Sequence, residues 1–411
     1  MTFSKIGRLL TALLATAMLG LGMTACGGGT IGYLYVPGSY YNQISGFKID
    51  DYTGNLTAIE HGPFTSGGTD PAYLVIKTGG RYVYVINSGT APVGTPGAAG
   101  YVAPTGSGIS VFSVGGDGVL TFQQTYPSQG IYPIWATFDS SSNYLYVLDK
   151  FAPDYNPLAP SGDITAFSVA SDTGRLTLVQ NTTVLSGNLP TNFFRVGPNP
   201  IMTKVASGSC LYTLSANSVY ADVIGSGGQL NVATTGSYNV SGSSSLSSIN
   251  TTGNVYITDK GGNQIFSLTS GTGCSLAPIS GSQQTNVPGT ANPVNSLTSS
   301  NGRYLYVLNQ SSTGSTVTTA QSTISAFTIE TGTGKLATLA DTGNNPYAVG
   351  SGPVCAVQDP TGQYIYVANN ADGTVTGKLL NQQYGYLSNL TRGSVFNATM
   401  NPTCVAVSGN I

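Results

Sequence analysis

Seven times the chain returns to a short segment built like aromatic-aliphatic-Tyr-aliphatic, with Cys or Asn in the first place in two copies, closed two residues later by a small polar residue or glycine. The copies are YLYVPG from Tyr33, YVYVIN from Tyr82, YLYVLD from Tyr144, CLYTLS from Cys210, NVYITD from Asn254, YLYVLN from Tyr304 and YIYVAN from Tyr364, at spacings of 49, 62, 66, 44, 50 and 60 residues. A period of this size marks an array of small units, none of which buries its apolar face alone. Each unit carries four strand-like runs. In the second they are PAYLVI (71–76), RYVYVI (81–86), GISVFSV (108–114) and GVLTFQQ (118–124). β-Branched and aromatic residues fill these runs, and Gly, Asp and Ser separate them, as strands and turns require.

The third run repeats an aliphatic residue, an aromatic three positions on and a further aliphatic, as in Ile44/Phe47/Ile49, Ile109/Phe112/Val114, Ile164/Phe167/Val169 and Ile324/Phe327/Ile329. Asp222 and Lys378 stand in the aromatic's place in units 4 and 7, which predicts different packing there. The fourth run opens Gly-x-Leu at Gly54, Gly118, Gly174, Gly228, Gly334 and Gly385, while unit 5 departs by one residue, with Gly273 and Leu276. Seven four-stranded units in tandem predict an all-β fold, a seven-bladed β-propeller of antiparallel blades that leaves few open sheet edges. The two ends are complementary. The chain enters the array in a second strand at Tyr33 and leaves it in an orphan first strand, PTCVAVS (402–408), similar to PVCAVQ (353–358). That last strand is expected to complete blade 1 and close the ring.

The strand ends YVIN, YVLD, YITD, YVLN and YVAN resemble the YVTN repeat, and the Gly-x-Leu-Thr fourth strands resemble those of the seven-bladed lactonase propellers, which include bacterial 6-phosphogluconolactonase. The resemblance spans essentially all of residues 31–408 and rests on residues that build blades. It implies the fold, and at one remove the hydrolysis of a sugar lactone. The polar residues closing the second strands, Gly38, Asn87, Asp149, Ser215, Asp259, Asn309 and Asn369, form a ring of equivalent positions, expected to cap the strand-to-loop turns.

Residues 1–25 read as an export signal. Lys5 and Arg8 precede LLTALLATAMLGLGM, an apolar stretch too short to span a bilayer as a helix. Its end, GMTAC, resembles the lipobox of bacterial lipoproteins, which implies cleavage before Cys26 and lipid attachment to it. Residues 26–30 then form a Gly-rich tether and 31–411 the propeller. Gly27 after the cysteine points, by the same resemblance, to the outer membrane. With Lys5 and Arg8 set aside, 12 basic residues face 16 acidic ones, a formal net charge of −4. No basic patch suits a phosphate backbone, so nucleic acid is not an expected partner. A monomer is expected.

Loop lengths point to one face. Connections between first and second strands, and between third and fourth, are tight (78–80, 140–142, 170–173, 299–302, 330–333, 359–362). Second-to-third connections reach 87–107, 149–161 and 309–321, and blade-to-blade connections reach 181–199, 280–292 and 340–352. In an antiparallel blade both long classes emerge on one side, where binding usually lives. That face is expected to carry Glu60, His61, Asp70, Asp149, Lys150, Asp154, Tyr155, Arg195, Asp259, Lys260 and Arg392, with Tyr101 and Tyr155 in the longest insertions.

Lactone hydrolysis needs a base for water and a donor set for the oxyanion. The family resemblance implies His, Arg and Glu near the channel, and here His61, Glu60, Arg392 and Arg195 are the candidates. No local motif supports them. The first expectation is therefore a non-catalytic, lipid-anchored propeller holding a glycan, peptide or envelope protein on its long-loop face. The alternative is a lactonase-type hydrolase. One histidine in the exported part makes no three-ligand zinc site, and neither a Ca²⁺ loop nor a phosphate loop occurs, so no metal and no cofactor are expected. The single Trp135 excludes the multiple-Trp pattern of quinoprotein propellers.

Four cysteines remain beside Cys26, an even number in an exported chain. Cys355 and Cys404 hold the same register in the innermost strands of adjacent blades, which predicts a bond between them. Cys210–Cys274 follows by elimination.

Overall fold

The computed structural model describes residues 29–409 apart from 187–188, 207, 216, 241, 250–251, 289–291, 311–321 and 342–343. The signal segment and Cys26 lie outside the described residues, as does most of the 309–321 connection.

Seven antiparallel sheets stand round a ring, each with its first strand innermost. Blade 3 shows the plan, with Ile131–Phe138, Tyr144–Phe151, Gly162–Val169 and Leu176–Leu178 in order from the axis outward. Blade 1 is made from both ends of the chain. Ala406–Gly409 pairs with Thr30–Gly38 (Leu34 opposite Val407, Tyr35 opposite Ala406), followed by Gln43–Asp50 and Leu56–Ala58. The predicted closure is present.

Second strands are apolar on both sides because blades pack on both sides. Leu34 and Val36 join Tyr366 and Val375 of blade 7, while Tyr33 and Tyr35 join Val83, Val85 and Phe112 of blade 2. Full burial of each such side chain contributes about 1.5–3 kcal/mol.

The central Tyr of the repeat adds a directional link. In each blade its hydroxyl donates to a carbonyl at the head of the next blade's fourth strand: Tyr35 to Gly118, Tyr84 to Gly174, Tyr146 to Gly228, Tyr212 to Cys274, Tyr256 to Gly334, Tyr306 to Gly385 and Tyr366 to Gly54, at 2.6–3.2 Å. The last one crosses the closure, from blade 7 to blade 1. The residue two before that Tyr lies flat on the same glycine. At Gly118 (φ 87°) an added Cβ would stand 2.4 Å from the Tyr33 ring. Glycine is required there by both the backbone and the space.

Unit 5 explains its own irregularity. Cys274, not Gly273, occupies the glycine's place, with φ 63° and its carbonyl facing Tyr212. Opposite it, Cys210 stands where five other blades carry a Tyr ring and blade 5 carries Asn254. The disulfide Cys210–Cys274 (Cα–Cα 5.4 Å) thus replaces one ring-on-glycine contact. The second disulfide, Cys355–Cys404 (Cα–Cα 4.9 Å), joins the inner strand of blade 7 to the segment entering blade 1. Both predicted pairings are found, and two cross-links are the pattern of an oxidising compartment.

Candidate functional site

Where the innermost strands begin, on the long-loop side, the chain turns sharply into a proline. Asp70, Tyr132, Asn199 and Asn401 precede Pro71, Pro133, Pro200 and Pro402 with φ between 50° and 66°. Asn and Asp tolerate this left-handed region, but a bulky ring does not, at a cost of roughly 1–2 kcal/mol. Tyr132 is therefore held. Its hydroxyl donates to Asp70 Oδ2 (3.4 Å), and the Lys150 ammonium stands 5.9 Å from its ring centre. Strain of this kind gathers at functional sites. Burial raises the pKa of the Asp70 carboxyl, partly offset by the Tyr132 hydroxyl.

The 88–107 connection is anchored over this spot. Thr69 and Asp70 exchange backbone bonds with Ser88, Gly89 and Gly106, and the Ser88 hydroxyl donates to Pro133 O (2.7 Å). A short bridge between Val93 and Val102 gives the loop a hairpin of its own.

Behind Lys150 lies a second acidic feature. Asp149 and Asp163 face each other across the second and third strands of blade 3, both 0% exposed. One Asp149 oxygen accepts from the Ser128 and Thr165 hydroxyls, while its other oxygen and both of Asp163's lack a well-formed hydrogen bond among the described residues. The other blades show why this is unusual. At the same register the amides of Asn87, Asn309 and Asn369 donate to the third-strand hydroxyls of Ser110, Ser325 and Thr376. Blade 3 sets acceptor against acceptor. Burial pushes Asp149 up to about 7, and burial with the Asp149 charge raises Asp163 well above the carboxylate range. Two such groups side by side hold a proton between them.

The remaining candidates are scattered. Glu60 and His61, expected on the long-loop face, are exposed in a break of blade 1's outer strand, between Leu56–Ala58 and Phe64–Thr65. Arg392 occupies the matching break in blade 7 and reaches toward the tight turn of blade 1, where the Thr53 hydroxyl first and Arg392 last hold the Asp50 carboxyl below its usual range. A cavity of about 350 Å³ opens between these two outer edges, beside Tyr41, Pro63 and Met400, and Glu60, His61 and Arg392 do not line it. Among the described residues no hydrogen bond or ion pair joins them. Outer-strand breaks are displaced from the axis, so sequence proximity to the loops misplaced all three.

Arg195 pairs with Asp154 at the exposed edge of blade 3 and covers the Phe193 ring. Asp259 is committed to its own turn, accepting from Gly261 N, Gly262 N and Gln264 Nε2. Lys260 beside it is exposed. Tyr155 packs edge-on against Phe151 (centroids 5.0 Å), and the Tyr101 hydroxyl is buried without a hydrogen-bond partner among the described residues. Trp135 stacks on Tyr73 of blade 2, centroids 3.6 Å apart, between two inner strands.

Of the expected set, the structure brings together Asp70 and Lys150, with Asp149 behind. Tyr132 and Asp163 were not anticipated. The signal for Asp163 was in the repeat, since the third-strand residue facing the polar end of the second strand is Gly, Gln or Thr in blades 2, 5, 6 and 7 and Asp only in blade 3. Tyr132 had no such mark, because its conformation belongs to the backbone.

The sequence model described as "Lactonase, 7-bladed beta-propeller" matches residues 32–189 and 275–407. The chain belongs to this family. The unmatched stretch holds blade 4 and most of blade 5, where Cys210–Cys274 replaces the usual contact. Among curated proteins nothing matches this lactonase-family propeller. Similar solved structures include a candidate 6-phosphogluconolactonase of Bacteroides fragilis (TM-score 0.68, 16% identity, covering 92% of this chain and 97% of that one). The periplasmic gluconolactonase of Pseudomonas aeruginosa is as similar (0.68, 16%, 92% and 99%), and a candidate 6-phosphogluconolactonase of Bacteroides uniformis follows (0.67, 17%, 92% and 99%). At these identities the likeness is one of fold.

Proposed function

We propose that this lactonase-family propeller hydrolyses a sugar lactone at the mouth between blades 2 and 3. The observation that carries the reading is Tyr132, kept in a disfavoured backbone conformation with its hydroxyl on the Asp70 carboxyl. The chemistry follows from the groups present. Asp70, ionised, takes a proton from water as the water oxygen bonds to the lactone carbonyl carbon. The Lys150 ammonium offsets the charge gathering on the carbonyl oxygen. When the ring C–O bond breaks, the protonated Asp70 returns its proton to the departing alkoxide, and an open-chain hydroxy acid is left. Tyr132 holds Asp70 in place and does not move a proton.

The test is turnover against a panel of five- and six-membered sugar lactones. Asp70→Asn is expected to lower kcat by roughly 10²–10³-fold, the usual worth of a general base, with the circular dichroism spectrum unchanged. Activity should rise with pH through a midpoint above that of an ordinary aspartate, because Asp70 works as the anion. A wild-type protein that turns over none of the panel, or an undiminished Asp70→Asn variant, removes the reading.

One observation favours partner binding on the same face instead. The long loops carry exposed apolar residues, Val93, Val102, Leu158 and Leu189. Capture of an envelope component by the wild-type protein, lost when Leu158 and Leu189 are both changed to Ser, would support that reading, and no capture would end it. For location we propose export and anchoring through lipid on Cys26. Mass spectrometry of the purified protein showing an unmodified Cys26 would refute the anchor.

A further inference from the structure

A groove of about 400 Å³ opens between the outer edges of blades 6 and 7, far round the ring from the mouth at blades 2 and 3. Its unusual member is Lys378. The third-strand residue at this register, opposite Ile365 in blade 7, is Phe47 opposite Leu34, Phe112 opposite Val83 and Phe327 opposite Leu305 in other blades. A ring there fills the wedge between outer strands. Lysine leaves it open and puts a cation in it.

Lys378 is 6% exposed, and among the described residues its ammonium makes one hydrogen bond, to Asn389 Oδ1 at 2.7 Å. An ammonium has three N–H donors, so two remain. Among the described residues the one ion pair is Arg195–Asp154, so no carboxylate neutralises Lys378. Asp372, at another part of the rim, is already engaged by Ser351 N (2.7 Å) and by the Thr374 backbone N (3.2 Å) and hydroxyl (2.7 Å). A buried, unpaired charge is costly and calls for a counter-ion. Burial accordingly lowers the Lys378 pKa.

Two further donors line the same groove. The Thr376 hydroxyl oxygen accepts from Gly350 N (3.1 Å) and Asn369 Nδ2 (2.9 Å), and the Ser394 hydroxyl oxygen accepts from Leu390 N (2.8 Å). With their oxygens occupied as acceptors, both hydroxyls have their protons left to give. An ammonium and two hydroxyls thus face the cavity as donors, while its acceptors, Asp372 and Asn389 Oδ1, are already engaged.

We propose that this groove binds a small polyhydroxylated carboxylic acid, its carboxylate seated on Lys378. One ammonium balances one negative charge, and Asp372 on the rim disfavours a second, so a monoanion fits and a phosphate dianion does not. The volume is several times that of a carboxylate, and Asn389 with the rim hydroxyls suits a hydroxylated tail. The site is separate from the proposed hydrolytic mouth and stands whether or not that mouth is catalytic.

The experiment is titration calorimetry of the full exported chain with gluconate, using glucose as the uncharged control and inorganic phosphate as the dianion. Gluconate is expected to bind at least 10-fold more tightly than glucose or phosphate. Lys378→Met should abolish that preference and Lys378→Arg retain part of it, while Asp70→Asn, which disables the other site, leaves it intact. As a check that needs no variant, gluconate should slow acetylation of Lys378 by acetic anhydride at least 10-fold, read by peptide mass spectrometry. Equal binding of gluconate and glucose, tighter binding of phosphate, a preference that survives Lys378→Met or vanishes in Asp70→Asn, or unprotected Lys378 would each overturn the proposal.

Discussion

A carboxyl group buried away from water stays neutral at a pH where its exposed counterparts are charged, unless donors or cations outweigh the burial. Asp149 and Asp222 are both pushed up to about 7 by burial. In the unfolded chain each ionises near its ordinary pKa, about 3.9, so between that value and about 7 the folded state holds more protons. Folding stability therefore falls as pH rises through this window. Asp50 acts in the opposite direction, since its lowered pKa contributes stability that is lost only on acidification below the ordinary carboxylate range. The thermal midpoint is expected to be higher at pH 5 than at pH 8. Asp149→Asn restores at blade 3 the amide-to-hydroxyl tie of Asn87, Asn309 and Asn369, and should raise stability at pH 8 by roughly 1–3 kcal/mol while flattening the pH dependence. A midpoint level from pH 5 to 8 in the wild type would remove the account of the buried pair.

At the scale of elements, each blade is fastened to the next by a tyrosine hydroxyl on a carbonyl and a side chain lying on the residue that bears it. Replacing one hydroxyl removes one neutral hydrogen bond and leaves a buried carbonyl short of a donor. Tyr306→Phe is expected to cost about 1–2 kcal/mol in urea unfolding. Gly118→Ala should cost more, roughly 2–4 kcal/mol, because it adds a left-handed backbone penalty to a collision with the Tyr33 ring. Equal losses for the two variants would mean that the glycine is not needed for space. The Cys210–Cys274 pair does the same mechanical work with a covalent bond, which is why blade 5 tolerates a cysteine at φ 63°.

The whole molecule is a closed ring, joined where the two ends of the chain meet. Four residues of the last strand complete blade 1, and the Cys355–Cys404 bond ties that segment to blade 7. Changing both cysteines to Ala frees the unfolded chain from a 49-residue loop and is expected to cost about 2–4 kcal/mol. Deleting 402–411 leaves the inner edge of Thr30–Gly38 unpaired and should prevent cooperative unfolding altogether, seen as a sloping rather than sigmoidal urea curve. A truncated protein that unfolds as sharply as the full chain would show that the ring needs no closure.

Blade number, strand order and ring closure were legible in the chain, because each follows from a local pattern repeated seven times, and the cysteine pairings followed from strand register and elimination. Radial packing leaves such a pattern one way to bury its two apolar faces. Even the substitutions at Asp222 and Lys378 were visible as breaks in the repeat. The candidate site was not. Asp70 and Tyr132 are 62 residues apart and meet only because successive inner strands start side by side at the axis. Tyr132 matters through its backbone angle, which no residue type announces, and His61 and Arg392 lost their place because an interrupted outer strand carries them to the rim. Periodicity is a property of neighbours along the chain, whereas a site is made of neighbours around the ring, and only the folded path decides who those are.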